Sequence, residues 1–530
     1  MTPPGLAHIL NEAARDTNGD VLATIGQAER LFGSHAGKGR EMERARERHI
    51  MRQRAQRQQR TVVRMARGTG EMDTTTMGAG AGGGQESDRE DACYQIEGGI
   101  PLRGEVRNSG AKNAATKLMV AALLTEDRCT LRNMPAGLGD VTITEEVLRS
   151  LGAEVTWPDE GTASVRAVQL DNTVVPLALG RKNRLAVLTT GPLLHRAGHA
   201  VIPAPGGDRI GPRPINFHLD GLQRMGAVMD YRDGLYHLHT DGLKGAPIEL
   251  PFPSVMATET LIIAATLAHG VTVIANAAIE PEIIDLIKFL QKMGAIIEQR
   301  VDRTIVVEGV QRLHGADHRV ISDRNEAVSL AIAAYLTHGN VRVIGAEQGM
   351  LLTFLNTLYR VGLDFTVDDD GITFFGSDTP PRPIALETDV HPGFMTDWQQ
   401  PFALLLTQAH GMSVIHETIY EDRFGYTQDL NRMGADTGLF TRCLGEIPCR
   451  FRESDFYHSC VIRGPTPLHA AELTMPDIRA GAAYILAALC AQGTSTVHGI
   501  EHIERGYDHL DAKLRSLGAH IERVPTQTQR

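Results

Sequence analysis

The sequence lacks most features that mark secreted, membrane-spanning or metal-binding proteins. Its 530 residues include only six cysteines, which show no C-x-x-C pair and no zinc-ligand spacing; this is typical of reduced cytosolic thiols. No apolar run approaches the ~18 residues that a membrane span needs, and the N-terminus has no signal-peptide core. We therefore expect a cytoplasmic protein that uses no metal and no cofactor.

Charge is unevenly distributed along the chain. The formal net charge of −11 argues against nucleic acid as a partner of the main body. Residues 38–67, in contrast, hold one lysine and ten arginines against three glutamates, and a glycine-rich linker follows at 78–84. We expect this N-terminal extension, residues 1–92, to be solvated or disordered, with no catalytic role. The alternative is an arginine-rich helix that docks on an acidic surface such as RNA or the protein's own body.

Six short pieces of similar sequence recur with a period of about seventy residues. Each piece resembles Arg149–Val155 (RSLGAEV), and its glycine is predicted to end a helix in the left-handed region, where a side chain would clash. The six glycines are Gly152, Gly226, Gly294, Gly362, Gly434 and Gly518. Such a period indicates one α/β unit copied along the chain. Because the chain exceeds what one core usually serves, we expect two groups of three units.

Lys112 is predicted to lie in the first turn of a helix that follows a short strand at 100–107. A cation at that position opposes the helix dipole. The cost disappears if an anion binds there, because the free backbone N–H groups and the ammonium then act together. The alternative is that Lys112 points to solvent.

Arginines recur beside other predicted helix starts. Arg209 and Arg213 come just before a helix that Pro214 can begin, and Asp323 and Asp477 are good N-cap residues beside further arginines. If the units are alike, these helix starts share one end of each domain. Clustered arginines suit carboxylate and phosphate through paired hydrogen bonds. The predicted polyanion site contains Lys112, Arg184, Arg213, Arg423, Arg479 and Arg505.

Several longer motifs identify a family. They are GEVRNSGAKNAA (104–115), PGGDRIGPRPINFHLDGL (205–222), LPFPSVMATETL (250–261), FMTDWQQPFALL (394–405), EDRFGYTQDLNRMGA (421–435), DIRAGAA (477–483) and IERGYDHLDAKLRSLGA (503–519). From about 94 to 524 the chain resembles the UDP-N-acetylglucosamine 1-carboxyvinyltransferases, a sister family of 5-enolpyruvylshikimate-3-phosphate synthase. The resemblance implies two inside-out α/β barrel domains: residues 94–111 with 323–524, and residues 112–322.

The resemblance also implies the reaction and its substrates. The enolpyruvyl group of phosphoenolpyruvate would move to the 3-hydroxyl of UDP-N-acetylglucosamine with release of phosphate, the first committed step of peptidoglycan precursor synthesis. The residues implied to bind phosphoenolpyruvate are Lys112, Asn113, Arg213 and Arg505. The residues implied on the UDP-sugar side are Asn113, Arg184, Arg213, Pro214, Ile215, Asn216, Phe217, Ser254, Val255, Asp397 and Ile419. Lining the cleft would be Arg423, Asp477 and Arg479.

Asp397 is implied as the general base for the acceptor hydroxyl. An N-cap role for Thr396 or Asp397 in the box Thr-Asp-Trp-Gln is the alternative. Asp208 stands where most family members carry a cysteine that acts as proton donor or product-release residue. We expect Asp208 to keep the role of that loop, together with Lys112 and Asp397 as the catalytic residues.

Two further departures concern the acceptor. Met256 stands where the family usually has glycine, and Asn216 where an aspartate is common. Both positions are implied to contact the nucleotide, so two alternatives stay open. One is enolpyruvyl transfer to another nucleotide such as UMP, as in nucleoside-antibiotic pathways. The other is a non-catalytic paralogue with a regulatory role.

Overall fold

The computed structural model describes residues 92–206, 214–447 and 449–526. The arginine-rich segment 38–67, the glycine-rich stretch 78–84 and the predicted residues Asp208, Arg209 and Arg213 lie outside the described residues. Among the helices in those ranges, none has both the length and the apolar character that crossing a bilayer requires.

Strands and helices alternate along the described chain. The strands are β1 (Ala92–Glu97), β2 (Arg103–Arg107), β3 (Cys129–Arg132), β4 (Glu154–Asp159), β5 (Thr162–Arg166), β6 (His199–Pro203), β7 (Val228–Arg232), β8 (Leu235–His239), β9 (Pro247–Glu249), β10 (Val271–Ala275), β11 (Ile296–Gln299), β12 (Ile305–Glu308), β13 (Asp317–Arg319), β14 (Asn340–Ile344), β15 (Phe365–Val367), β16 (Gly371–Phe375), β17 (Ala385–Glu387), β18 (Gly411–His416), β19 (Asp436–Phe440), β20 (Ser459–Gly464), β21 (Glu472–Thr474), β22 (Thr494–His498) and β23 (His520–Pro525). The α-helices are α1 (Lys112–Ala121), α2 (Gly139–Ser150), α3 (Leu177–Gly180), α4 (Thr190–Ala197), α5 (Asn216–Arg224), α6 (Val255–Ala265), α7 (Pro281–Lys292), α8 (Arg324–Leu336), α9 (Gln348–Val361), α10 (Gln399–Leu406), α11 (Thr427–Arg432), α12 (Ile478–Cys490), α13 (Ile500–Glu504) and α14 (Leu510–Ser516). Short 3₁₀ turns occupy Ala122–Leu124, Leu185–Thr189 and Thr396–Trp398.

One pattern of strand pairing recurs in six sheets. In the first example, β9 pairs in parallel with β10, β10 pairs antiparallel with β12, and β12 pairs antiparallel with β11. The same arrangement gives the orders β13-β3-β5-β4, β2-β14-β16-β15, β17-β18-β20-β19 and β21-β22-β1-β23. In the sheet β6-β8-β7 a parallel bridge between Val174 and Val201 takes the place of the outer strand. The six-fold repeat predicted from the sequence is confirmed.

The predicted helix caps are also confirmed. The six repeat glycines have φ between 82° and 110°, the left-handed region that a side chain rarely adopts. After α2, Gly152 N donates to the carbonyl of Arg149 and Ala153 N to that of Leu148, both at 3.0 Å. This pair of bonds satisfies the last carbonyls of the helix and turns the chain back toward the next strand.

Two separate groups of buried apolar side chains form the cores. One group is drawn from residues 111–320, and the other from residues 94–106 and 327–521. The helices inside them are rich in alanine and buried almost all round: every residue of α8 is buried, and so is all of α12 except Cys490. We propose that the two cores mark two domains, residues 94–111 with 323–524 and residues 112–322.

A buried ion pair joins the helices of the two cores. Arg324, the first residue of α8, donates from Nε and Nη2 to the carboxylate of Glu282 in α7 at 3.0 and 2.9 Å. The side chains are only 2% and 4% exposed. Burial opposes ionisation of Glu282, but the charge of Arg324 and its hydrogen bond outweigh burial and lower the pKa of the carboxyl.

We predict that Glu282→Gln destabilises the protein by about 3–5 kcal/mol, because it leaves the Arg324 charge buried without a counter-ion. Urea unfolding measures the loss through the fluorescence of Trp398, whose ring lies 5.6 Å from Arg324 Cζ. Because folding lowers the pKa of Glu282, this carboxylate contributes its full stabilisation at pH values above the ordinary carboxyl range. That contribution disappears as the pH falls through the lowered value.

The matched control is Glu298→Gln, which removes the same charge from an exposed pair with Arg300. Solvent screens that pair, so the control should change stability far less. Equal unfolding midpoints for the two variants would contradict the assigned role of the buried pair.

Candidate active site

Lys112 begins helix α1, as the sequence predicts. Its backbone N–H donates to Asp323 Oδ2 at 3.2 Å, and its Nζ donates to Asp140 Oδ2 at 3.0 Å. The alternative that Lys112 points to solvent is therefore wrong. Asp140 lies in the first turn of α2, so two helix starts with opposite side-chain charges face each other.

Arg505 contacts the same carboxylate. Its Nε donates to Asp140 Oδ1 at 3.1 Å, so Asp140 lies between Arg505 and Lys112. Burial raises the pKa of Asp140, but the two cations outweigh burial and hold the pKa below its ordinary value. The structure thus brings together Lys112 and Arg505, which the sequence assigned to one anion site. Sequence reasoning missed Asp140, the residue that joins them.

Asp397 is the second carboxylate of the site. It lies in the 3₁₀ turn Thr396–Trp398, where its Oδ1 accepts from Arg423 Nη2 at 2.9 Å and its Oδ2 from Arg479 Nε at 3.0 Å. Neither Thr396 nor Asp397 makes a side-chain cap at the following helix, so the alternative N-cap role is wrong. Burial opposes ionisation of Asp397, but Arg479 and Arg423 outweigh burial and hold its pKa well below the ordinary carboxyl range.

We propose that the two carboxylate clusters belong to one charged site. Lys112 contributes to the lowered pKa of Asp397, which places the two groups within electrostatic reach. Arg423 Nη1 and Arg479 Nη1 are buried, and neither has a hydrogen-bond partner among the described residues. The proposed site therefore combines four cations with Asp140 and Asp397, has Asp323 and Asp477 beside them, and keeps two guanidinium donors without a described partner.

Helix caps fix the positions of these cations. The side chain of Asp323 accepts from the backbone of Asn325 and Glu326, and that of Asp477 from the backbone of Arg479 and Ala480. Both predicted N-caps are confirmed. Asp323 also accepts from Lys112 N, so one carboxylate holds the starts of α1 and α8 together.

Arg184 and the start of α5 lie close together on the first core. Burial, and secondarily the charge of Arg184, lower the pKa of His218 in α5 to about 3. The sequence places the helix start at Pro214, but α5 begins at Asn216 with Ile215 as its N-cap. Ile215 is buried, while Phe217 is half-buried against the first core.

Helix α6 begins beside α5. Its first residue, Val255, follows Ser254, and both Val255 and Met256 pack half-buried against the first core. A hydrogen bond of 2.8 Å between His218 Nδ1 and Thr260 Oγ1 ties the two helices. The predicted nucleotide residues Phe217, Ser254 and Val255 are thus carried by neighbouring helix starts.

Ile419 connects this region to Asp397. The backbone N–H of Ile419 donates to Glu417 Oε1 at 2.8 Å, and Glu417 Oε2 accepts from the hydroxyl of Thr396 at 2.9 Å. The carbonyl of Ile419 accepts from Arg450, whose guanidinium lies 4.8 Å from the ring centre of Phe252. Asn113 follows Lys112 in α1 and is half-buried.

Comparisons with known proteins show which family the chain resembles. A family model described as EPSP synthase (3-phosphoshikimate 1-carboxyvinyltransferase) matches residues 96–514. A UDP-N-acetylglucosamine 1-carboxyvinyltransferase from Protochlamydia amoebophila is 50% identical over 81% of this chain and 94% of its own length. Proteins of the same name from Chlamydia abortus and Magnetococcus marinus are 47% and 39% identical, each over 81% of this chain and 98% of their own lengths.

Solved structures share the fold. The enolpyruvyl transferase NikO from Streptomyces tendae aligns with a TM-score of 0.74 at 26% identity, over 82% of this chain and 99% of its own. An EPSP synthase from Acinetobacter baumannii aligns with a TM-score of 0.65 at 18% identity, over 82% of this chain and 100% of its own. The chain belongs to the enolpyruvyl transferase family of EPSP synthases and UDP-N-acetylglucosamine 1-carboxyvinyltransferases.

Proposed function

We propose that the protein transfers the enolpyruvyl group of phosphoenolpyruvate to the 3-hydroxyl of UDP-N-acetylglucosamine and releases phosphate. The observation that carries this proposal is the charged site in which Asp140 and Asp397 hold four cations. Clustered ammonium and guanidinium groups suit a donor that bears both a phosphate and a carboxylate. The relatives that are 45–50% identical over most of the chain carry the name of this activity. We further propose that the enzyme works in the cytoplasm.

Lys112 and Arg505 are proposed to bind the donor. Asp140 contacts both cations and keeps them in position, so the site is preorganised for negative charge. Asn113 and Arg213 are proposed to complete this side. Arg213 lies outside the described residues, as does Asp208, which we propose keeps the role of the loop cysteine of other family members, as proton donor or product-release residue.

Asp397 is proposed to take the proton of the acceptor hydroxyl. Its ion pairs with Arg423 and Arg479 keep it ionised, which is the form that accepts a proton, but the same pairs make it a weak base. The donor phosphate competes for the two guanidinium groups and adds negative charge nearby. Both effects raise the pKa of Asp397, so the base becomes stronger once the donor is bound.

The acceptor is proposed to lie across the helix starts of the first core. Arg184 supplies positive charge for the diphosphate, and Phe217 and Val255 supply apolar surface for the nucleotide. Asp477 holds Arg479 in place through the α12 cap. The remaining residues proposed to contact the acceptor are Pro214, Ile215, Asn216, Ser254 and Ile419.

We predict phosphate release from phosphoenolpyruvate when UDP-N-acetylglucosamine is supplied, and no release above background with UMP. A coupled phosphate assay with each acceptor separately measures this difference. UMP is the necessary comparison because Met256, half-buried beside Val255, adds bulk to the proposed nucleotide-binding surface. Phosphate release with UMP alone would show that UMP is the acceptor in place of UDP-N-acetylglucosamine. Release with neither acceptor would favour the non-catalytic alternative.

We predict that Arg423→Gln moves the acid limb of the pH profile of kcat/KM to higher pH. Removal of one guanidinium raises the pKa of Asp397, so a higher pH is needed to ionise the base. The wild-type limb belonging to Asp397 lies at low pH because its pKa is lowered. Steady-state rates measured across the acid range give the shift.

Two further variants make the pH experiment decisive. Asp397→Asn should lower kcat on the order of 10²–10⁴-fold, as expected for loss of a general base. Arg463→Gln removes an arginine from an exposed ion pair with Asp436 and should leave the profile unchanged. An unshifted acid limb in Arg423→Gln, or an undiminished kcat in Asp397→Asn, would refute the role of Asp397 as base.

A further inference from the structure

One hairpin of the repeat carries a much longer connection than its counterparts. Residues 441–458 join β19 to β20 through eighteen residues. The equivalent connections contain two residues in β4–β5 and β7–β8, three in β15–β16 and five in β11–β12. The additional chain contains Cys443 and Cys449, and His458 ends it. We refer to residues 441–458 as the long hairpin loop.

The loop is held against the sheet by specific hydrogen bonds. Glu387 accepts from Glu446 N at 2.7 Å and from Ile447 N at 2.8 Å. At Gly445 a Cβ atom would lie 2.2 Å from Glu387 Oε2 and 2.5 Å from His416 Cδ2. Only glycine therefore lets the chain pass between these two side chains. The passage brings the loop directly over the ring of His416.

The hydrogen bonds around Ser459 determine which nitrogen of His416 carries the proton. Ser459 Oγ donates its single proton to the carbonyl of Arg442 at 2.8 Å, so it must accept from His416 Nδ1 at 2.9 Å. In a neutral imidazole the lone pair then lies on Nε2. His416 is fully buried, and its Nε2 has no hydrogen-bond partner in the described part of the chain.

His458 presents a second lone pair, beside Cys443. Its Nδ1 lies 2.7 Å from the backbone carbonyl of Phe456, which can only accept, so Nε2 carries the lone pair in the neutral ring. That Nε2 is 3.3 Å from Cys443 Sγ. The ligand atoms of His416, Cys443 and Cys449 all lie within 4.8 Å of one another.

We propose that His416, Cys443, Cys449 and His458 bind one zinc ion. Two thiolates and two imidazoles are a preferred tetrahedral zinc set. With Zn–S near 2.3 Å and Zn–N near 2.0 Å, tetrahedral ligand atoms are about 3.3–3.8 Å apart, so the group of His416, Cys443 and Cys449 needs only a small contraction. His458 would join it from beside Cys443 as the fourth ligand. Binding displaces one proton from each thiol, and Ser459 and the Phe456 carbonyl orient the two rings.

A disulfide between Cys443 and Cys449 explains the proximity of the two sulfurs but not the arrangement of the two histidines. It would leave the buried Nε2 of His416 without a partner, which is costly in a low-dielectric interior. Zinc satisfies both imidazoles and both sulfurs. The sequence offered no sign of this site, because the four residues do not form a compact zinc motif.

The metal would fix the long hairpin loop beside the acceptor region, a consequence that rests on the proposed function. Arg450 follows Cys449 and donates to the carbonyl of Ile419, while its guanidinium packs on the ring of Phe252 at 4.8 Å. Ile419 and Phe252 belong to different halves of the described body. Zinc would therefore stiffen a bridge between them.

Cobalt binding to the full-length protein tests the site without any assay of catalysis. The wild-type chain, purified under reducing conditions and freed of metal with a chelator, is titrated with Co²⁺. We expect one equivalent to give the intense visible bands of tetrahedral cobalt and the charge-transfer band of cobalt–thiolate bonds. Zinc should then displace the cobalt and remove both signals.

Variants assign the signal to the proposed ligands. Cys443→Ser and Cys449→Ser should lose the cobalt–thiolate band, and His416→Ala should weaken cobalt binding at least tenfold. Cys490→Ser, a change to a cysteine in α12 outside the cluster, should bind as the wild type does. The proposal would be overturned if the wild-type protein gave no cobalt–thiolate band, or if that band survived in Cys443→Ser or Cys449→Ser. A Cys443–Cys449 disulfide in anaerobically isolated protein would also overturn it. The wild-type titration uses no variant. If the wild-type protein gives no band, the proposal is therefore wrong whether or not the variants fold.

Discussion

Two carboxylates, the buried Asp140 and the half-buried Asp397, hold the charged site together. Cations gathered in one partly buried site repel one another. Asp140 and Asp397 offset that repulsion, each by binding two cations with good geometry. The cations are Lys112, Arg505, Arg423 and Arg479. Clustered ammonium and guanidinium groups suit the proposed donor, which bears a phosphate and a carboxylate, so one electrostatic constraint accounts for both the assembly of the site and its proposed ligand.

The repeated fold explains why these groups meet. Each core surrounds helices that are buried almost all round, and the starts of several of them carry the charged residues. Asp323 joins α1 of the first core to α8 of the second, and the ion pair between Arg324 and Glu282 joins α8 to α7. These contacts fix the distance between the two halves of the site. The zinc cluster proposed in the long hairpin loop would add a third connection, on the acceptor side.

Local rules of sequence predicted much of this architecture. The repeat glycines were predictable because a positive φ at a helix end leaves few other choices, and Asp323 and Asp477 because N-caps act within three residues. The role of Asp140 was not predictable from local sequence, because its partners Lys112 and Arg505 lie 28 and 365 residues away in the chain. The cluster of His416, Cys443 and Cys449 was hidden for the same reason: strand pairing sets His416 opposite Ser459 and so brings β18 to the loop. Helix α5 starts at Asn216 and not at Pro214. Proline is tolerated in the first turn of a helix, but its presence does not determine where the helix begins.

A crystal structure of the Asp397→Asn variant with phosphoenolpyruvate and UDP-N-acetylglucosamine tests the central claim most directly. Slow turnover in this variant should preserve both substrates. We predict that the donor phosphate lies within hydrogen-bond distance of Lys112 and Arg505, with the 3-hydroxyl of the sugar facing position 397. Donor density away from Lys112 and Arg505, or a sugar hydroxyl turned from position 397, would contradict the account.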